Sequence, residues 1–315
     1  MSENNYILDV QHLCQTFTSG RGRKKMTVKA VDDVTFGIRP AETFGLVGES
    51  GCGKTTTGRT IIRLYDPTSG QIFFDGKEIS GPMTREKRKY LTNTIARIFQ
   101  DPIESLNPRM TIEEIIGEGL TLRGVTDKTE VRRQVVEMLR KVGLTAEHAT
   151  RYPHEFSGGQ RQRIGIARAM IVKPRLIIAD EPVSALDVSI QAQVINLLND
   201  LKEEMGLTIL FIAHNLSVVK YFSDRIGVMY YGKLVEVAKS DDLYARPMHP
   251  YTRALLSAIP EPNPLTERKR IRIDYVPERD HDYSVEKPAM TELEPDHFVY
   301  CSPTEEAALR NKYGL

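Results

Sequence analysis

The sequence predicts an α/β fold of the doubly wound kind. Three observations carry that reading. The apolar run Phe44-Gly45-Leu46-Val47 leads into a glycine-rich loop, Gly48–Thr56, and a helix leads away from it near Gly53. Two further runs, Arg175–Ala179 and Leu207–Ala213, are apolar on both faces, as parallel strands buried under helices are. Strand-like and helix-like runs alternate on both sides of the loop.

The elements follow in order. Tyr6–Val10 and Val28–Ile38 alternate as strands do. Between them Arg21, Arg23, Lys24 and Lys25 lie among glycines and read as a solvated hairpin loop; a lipid-headgroup or nucleotide contact is the other reading. Phe17, just before that loop, suits either the core or a flat stacking contact with adenine. Thr55–Leu64 reads as a helix and Asp66–Gly70 as a turn. Gln71–Phe74 and Lys77–Ile79 are short strands about Asp75-Gly76. Residues 84–94 are charged and belong to the surface, and Ile95–Phe99 is another apolar run ending on Gln100.

Pro102 and Pro108 then break the chain. Thr111–Leu122 and Thr129–Val142 carry apolar residues at helical spacing, so a helical insertion separates parallel strands of the core. Another helix begins near Ser157, and Val188–Met205 is amphipathic. Ile226–Tyr230 and Lys233–Val237 flank Tyr231-Gly232 as a hairpin. Past Pro260 the prolines at Pro262, Pro264, Pro277 and Pro288 recur among charges, and this tail reads as partly extended or a small add-on. It closes on a helix with Ser302 as cap, Pro303 in the first turn, Glu305 completing a capping box and Gly314 near the stop.

Composition narrows the function. Lys and Arg number 43 against 42 Asp and Glu, so charge gives no case for nucleic-acid binding. Cys14, Cys52 and Cys301 are too few and scattered for a disulfide framework, which fits a reducing compartment. The N-terminus lacks the basic-then-apolar pattern of a signal peptide. No apolar stretch approaches a membrane span. The chain is expected to be soluble and to serve a membrane only by docking to something that spans it.

The loop Gly48-Glu49-Ser50-Gly51-Cys52-Gly53-Lys54-Thr55-Thr56 reads as a phosphate cradle. Its glycines allow tight turns that aim successive N–H groups inward at a helix N-terminus. At this spacing Lys54 reaches the β- and γ-phosphates of a nucleotide, and the Thr55 hydroxyl ligates Mg²⁺. Cys52 lies near the helix start, so its thiol is expected to have a depressed pKa. Alkylating it should block nucleotide binding, and ATP should protect it.

Phe156-Ser157-Gly158-Gly159-Gln160-Arg161 is a second glycine pair at a helix start, hence a second phosphate-binding end. One nucleotide already has its cradle. Ser157 and the Gly158 and Gly159 amides therefore suit the γ-phosphate of an ATP held by another subunit. That predicts a head-to-tail dimer with two ATPs between the chains.

With these parts in order, the sequence resembles the ABC transporter ATPases over about residues 6–260. The parts are Phe17, the 48–56 cradle, Gln100, Ser157–Gln160, Asp180-Glu181, Ser184–Asp187 and His214. Phe156 replaces the family's usual leucine. Gln100–Arg109, Tyr152–Arg163 and Met248–Leu256 resemble the oligopeptide/dipeptide importer subfamily, and Gln160 with the stretch after Ser257–Pro260 is similar to the F-type subunit of its ATPase pair. The resemblance implies a P-loop NTPase core with a RecA-like, mostly parallel sheet, an antiparallel β subdomain and an inserted helical subdomain. It implies an ATPase domain over 1–260, with the insertion at about 101–165, and a C-terminal extension over 261–315. Some members hold an iron–sulfur cluster in the tail; with only Cys301 there, none is expected here.

The resemblance also implies roles. Asp180 and Gln100 join Thr55 around Mg²⁺. Glu181 polarises the attacking water, since burial beside phosphate charge raises a carboxylate's proton affinity. Gln100 reports nucleotide state to the membrane partner. His214 holds the γ-phosphate and the Glu181 water in line, although a lone His is more often structural. Asp187 crosses the dimer interface, or caps the 188–205 helix, or both. The implied partners are a second ABC ATPase subunit, two integral membrane permease subunits and, indirectly, an extracytoplasmic solute-binding protein. The implied place is the cytoplasmic face of the membrane. The groove between helical insertion and core should receive a short helix of the permease. Rival readings are an importer ATPase for a nickel chelate or sugar, a soluble non-transport ABC ATPase, a P-loop kinase or GTPase, and a paralogue that binds ATP without turnover.

Overall fold

The computed structural model describes residues 5–20, 26–101, 104–260 and 271–315. The basic loop Arg21–Lys25, Pro102, Pro262 and Pro264 lie outside the described residues. Two compact units emerge. The first draws on Met1–Ile7, Ile38–Glu42 and Gly81–Ile212; the second draws on Leu8–Gly37, Thr43–Ser80 and Ala213–Leu315.

In chain order the elements begin with β1 (Leu8–Ser19), β2 (Met26–Ile38), β3 (Thr43–Val47) and α1 (Lys54–Ile61). Then come β4 (Ser69–Phe74), β5 (Lys77–Glu78), α2 (Arg85–Thr94) and β6 (Ile95–Ile98). The helices α3 (Ile112–Leu122), α4 (Lys128–Lys141) and α5 (Gly158–Met170) follow, then β7 (Leu176–Asp180), α6 (Val188–Met205) and β8 (Thr208–Ile212). The rest is α7 (Leu216–Phe222), β9 (Arg225–Tyr230), β10 (Lys233–Lys239), α8 (Ser240–Ala245), α9 (Pro250–Ser257), α10 (Pro277–Asp280), β11 (Ala289–Glu294), β12 (His297–Cys301) and α11 (Pro303–Tyr313).

In the first unit β6, β7 and β8 run parallel, with Ile98 beside Ala179 and Asp180 beside Ile212. Every residue of β7 and β8 is buried, which explains their unbroken apolar runs. Because the strands end in register, the residues that follow leave from one edge of the sheet. In such sheets ligands bind at that carboxyl edge. Gln100 and Glu181 emerge there. The helical segment packs α3 against α4 and α5. Thr111 and Glu114 form a full capping box, and Asp127 accepts from Thr129 N–H. Each such cap contributes about 1 kcal/mol.

In the second unit one sheet has the order β2-β1-β4-β5. β1 extends well past Val10. A register shift against β4 between Gln11 and Cys14, with His12 at φ 51°, breaks the alternation and hides the continuation from a pattern reading. In the other sheet β3 is parallel to β9, and β9 is antiparallel to β10. The tail contributes β11 and β12, an antiparallel pair joined to β10 through Glu236 beside Val299. β11 sets Thr291, Glu292 and Glu294 among its apolar residues and β12 is only five residues long, so neither stands out as a strand in the sequence. Their buried side, Leu293, Val299 and Cys301, packs with Met248, and Leu309 and Tyr313 of α11 lie against it. The capping box of Ser302 and Glu305 and a left-handed Gly314 bound α11.

His249 caps α9, and burial pushes its imidazole down to about 3 from an ordinary 6.5, with His281 and Arg253 nearby adding repulsion. The unfolded chain therefore takes up a proton below 6.5 that the folded chain refuses until about 3. Stability from this group is complete above 6.5 and is lost as the pH falls through that window. Urea denaturation should show the wild type losing up to about 2 kcal/mol between pH 7.5 and 5 through this group. His249→Asn keeps a side-chain acceptor for the cap and should flatten that fall.

Candidate active site

The second unit carries the glycine loop. β3 is fully buried and feeds Gly48 at its carboxyl end. α1 starts inside the loop, with Gly53 as N-cap at φ 108° and no side-chain cap. Only glycine suits that position: a Cβ there would lie 2.1 Å from the Ala30 carbonyl oxygen. No side-chain oxygen at the N-cap competes with an external acceptor for the start of α1. Lys54 is buried, and its Nζ donates to the carbonyls of Gly48 at 2.8 Å and Glu49 at 2.9 Å. Glu49, Ser50 and Gly51 are exposed, while Thr55 and Thr56 are half-buried in the first turn of α1. The N–H of Glu49 donates to the hydroxyl of Tyr251 at 3.2 Å.

Two more side chains belong to this unit. Ala213 N–H donates to Leu46 O, so the chain after it, at His214, runs beside the end of β3. His214 is exposed. Phe17 keeps 38% of its surface open and meets the edge of Tyr65 at 5.1 Å, too open for a core position.

The first unit holds the carboxylates. Asp180 ends β7 and is only 2% exposed. Arg97 Nη2 donates to its Oδ2 at 2.6 Å, a buried ion pair. Arg97 interrupts the apolar run Ile95–Phe99, and that interruption was the one sign of the pair in the sequence. Glu181 adopts φ 47°, a left-handed conformation that non-glycine residues rarely take. Its N–H donates to Ile212 O at 2.9 Å, and Ser184 Oγ donates to its carbonyl at 3.0 Å. These bonds hold the residue in that strained turn and aim its side chain past the strand. Gln100 Nε2 donates to Glu181 Oε2 at 3.1 Å, so those two side chains are brought together.

The serine–glycine turn is also in the first unit. Ser157 N-caps α5; its Oγ accepts from Gln160 N–H, and Gln160 Oε1 accepts from Ser157 N–H. Ser157 and Gly158 are exposed. A Cβ on Gly159 would lie 2.7 Å from Ile190 of α6, so the turn is packed too tightly there for any side chain. Phe156 is buried, with its ring 5.2 Å from His148. Asp187 stands at the N-cap of α6, yet its side chain makes no capping bond.

The comparisons bear on this arrangement. The family described as "ABC transporter" matches residues 31–184, and "Oligopeptide/dipeptide transporter, C-terminal region" matches 235–283. The oligopeptide transport ATP-binding protein OppF of Bacillus subtilis (strain 168) is 57% identical over 300 residues, 95% of this chain and 97% of that one. AmiF of Streptococcus pneumoniae, also an oligopeptide transport ATP-binding protein, is 54% identical over 306 residues, 97% of each chain. The chain belongs to the ABC transporter ATP-binding subunits. Among solved structures, the ATP-binding cassette MJ0796, a dimer in a post-hydrolysis state with ADP and Pi, matches with a TM-score of 0.66 at 29% identity. That match covers 74% of this chain and 98% of the other.

In this ABC ATPase the expectation for Cys52 needs correction. The thiol is buried, and that desolvation pushes its pKa up; Lys54 nearby lowers it by less. The helix start alone suggested a reactive thiolate, but the side chain points away from water. Among the described residues no helix is long and apolar enough to cross a membrane. Maleimide labelling of Cys52 at pH 7 should accordingly run more slowly than that of a free thiol and accelerate above pH 9, with mass spectrometry locating the adduct. Saturating ADP should slow it further.

Proposed function

We propose that this chain is the F-type energy-coupling ATPase of an oligopeptide or dipeptide importer. It pairs with a second ABC ATPase on the cytoplasmic face of two integral permease subunits, which receive peptide from an extracytoplasmic binding protein. The observation that carries the paired mechanism is the exposed turn at Ser157 and Gly158. A chain with its own phosphate cradle has no further use for a second phosphate-binding end unless that end serves a neighbour. Identities of 57% and 54% over nearly the whole chain to oligopeptide transport ATP-binding proteins support the substrate class.

The residues then divide the work. The α1 amides and Lys54 bind the β- and γ-phosphates of ATP, and Phe17 stacks on the adenine. The hydroxyl of Thr55, the amide oxygen of Gln100 and the carboxylate of Asp180 are hard oxygen donors, the kind Mg²⁺ prefers. When bound, that ion neutralises charge on the phosphate oxygens. Arg97 keeps the Asp180 carboxylate oriented. Glu181 accepts a proton from the attacking water, and His214 holds that water and the γ-phosphate in line. Ser157 with the Gly158 and Gly159 amides completes the partner's pocket, and Gln160 steadies that turn. Asp187 faces the seam between subunits. Gln100, bonded to Glu181, relays occupancy toward the permease.

Glu181→Gln should bind ATP as the wild type does, lose turnover by about 10²-fold or more, and accumulate as a closed dimer on size-exclusion chromatography with ATP. Undiminished turnover would remove Glu181 from the reaction. Affinity capture from detergent-solubilised membranes should recover two integral subunits and a second ATPase, and disrupting Ser157 should abolish uptake of labelled peptide. Capture of ribosomes or DNA instead would reject the importer.

A further inference from the structure

The phosphate loop is braced from outside itself. Glu49 has both backbone groups engaged: its carbonyl accepts from Lys54 Nζ at 2.9 Å, and its N–H donates to the Tyr251 hydroxyl at 3.2 Å. Tyr251 belongs to α9, far along the chain, and is 2% exposed. Its ring sits 4.4 Å from that of Tyr230 and 5.4 Å from that of Tyr275. Burial holds the phenol well above its ordinary range, so it stays neutral at physiological pH.

Behind Tyr251 runs a line of buried hydrogen bonds. Its own N–H donates to His249 Nδ1 at 3.1 Å. The N–H groups of Met248 and His249 donate to the two carboxylate oxygens of Glu236 at 2.8 and 3.0 Å. His297 Nε2, at the start of β12, lies 2.8 Å from Glu236 Oε1. The Glu236 side chain is fully buried and that of His297 nearly so. A buried carboxylate with three partners resists any shift that would leave one of them unpaired. α9 is therefore tied to the tail hairpin, and the Tyr251 hydroxyl with it.

We propose that Tyr251 is a positioning residue for the phosphate loop: its hydroxyl holds the Glu49 amide and so fixes the loop in the shape that receives the nucleotide's phosphates. Through Glu236 and His297, the C-terminal hairpin sets that shape. This rests on the nucleotide-binding reading of Gly48–Thr56. A loop already ordered before the ligand arrives loses less conformational freedom on binding. Without the hydroxyl, one loop amide has no protein acceptor.

Tyr251→Phe keeps the ring and its packing and removes only the acceptor. In the purified full chain, fluorescent ADP should bind the variant about five- to tenfold more weakly, the loss of one hydrogen bond. In the assembled transporter KM for ATP should rise with kcat little changed. Tyr275→Phe changes a neighbouring ring in the same cluster and should leave ADP affinity as it is. Equal affinity of Tyr251→Phe and wild type would overturn the proposal, as would equal weakening by both variants, which marks a loss of packing alone. Hydrogen exchange on the wild-type chain gives a second test that needs no variant. The Glu49 amide should exchange slowly without nucleotide, and exchange at the rate of an open loop would refute the brace. Failure of the wild-type chain to bind ADP at all would instead remove the cradle reading and this proposal together.

Discussion

The start of α1 carries no side-chain cap, and the proposed phosphate cradle depends on that open helix end. α1 begins at Gly53, which adopts a left-handed backbone and has no side chain to cap with. α5 also begins at a glycine-rich turn, but Ser157 and Gln160 satisfy one another there. The two helix starts therefore differ in kind. The first is open by construction, with Lys54 holding the loop's own carbonyls. The second is self-satisfied, Ser157 and Gln160 closing its capping box. That asymmetry fits a cradle that binds nucleotide in the lone chain and a turn that engages only on assembly.

The same economy governs the carboxylates. β7 is buried throughout, so a charge at its end needs a partner, and Arg97 supplies one to Asp180. Glu181, one residue further, has left the strand and turned left-handed, where Gln100 meets it. Two adjacent acids thus have different surroundings: one locked in an ion pair, the other on a strained turn beside a neutral amide. Backbone strain of this kind persists only where surrounding bonds over-determine it. The hydrogen bonds to Ile212 and Ser184 do so here.

The tail is an integral part of the second unit's sheet. Its hairpin extends β10, and its buried side chains close a small core with Met248. Its prolines and charges disguised this. β11 is broken by Thr291 and its glutamates, β12 spans only His297–Cys301, and pairing with a strand some sixty positions earlier is invisible to any local pattern. The bulge in β1 misled for a related reason. One left-handed residue at His12 shifted the alternation and made one long strand look like a short one.

Local chemistry settled much in advance. The spacing of Gly48, Gly51, Gly53, Lys54 and Thr55, the cap at Ser302, and the apolar runs of β3, β7 and β8 are written within a few residues of where they act. Short-range sterics and hydrogen bonds decide them, so the α/β class and the glycine-rich turn between β3 and α1 could be read directly. Tertiary structure alone decided what distant residues do to one another: Arg97 on Asp180, Gln100 on Glu181, Tyr251 on Glu49, and the burial that reverses the expected acidity of Cys52. Those effects depend on which side chains exclude water from which, and desolvation has no signature in a linear pattern.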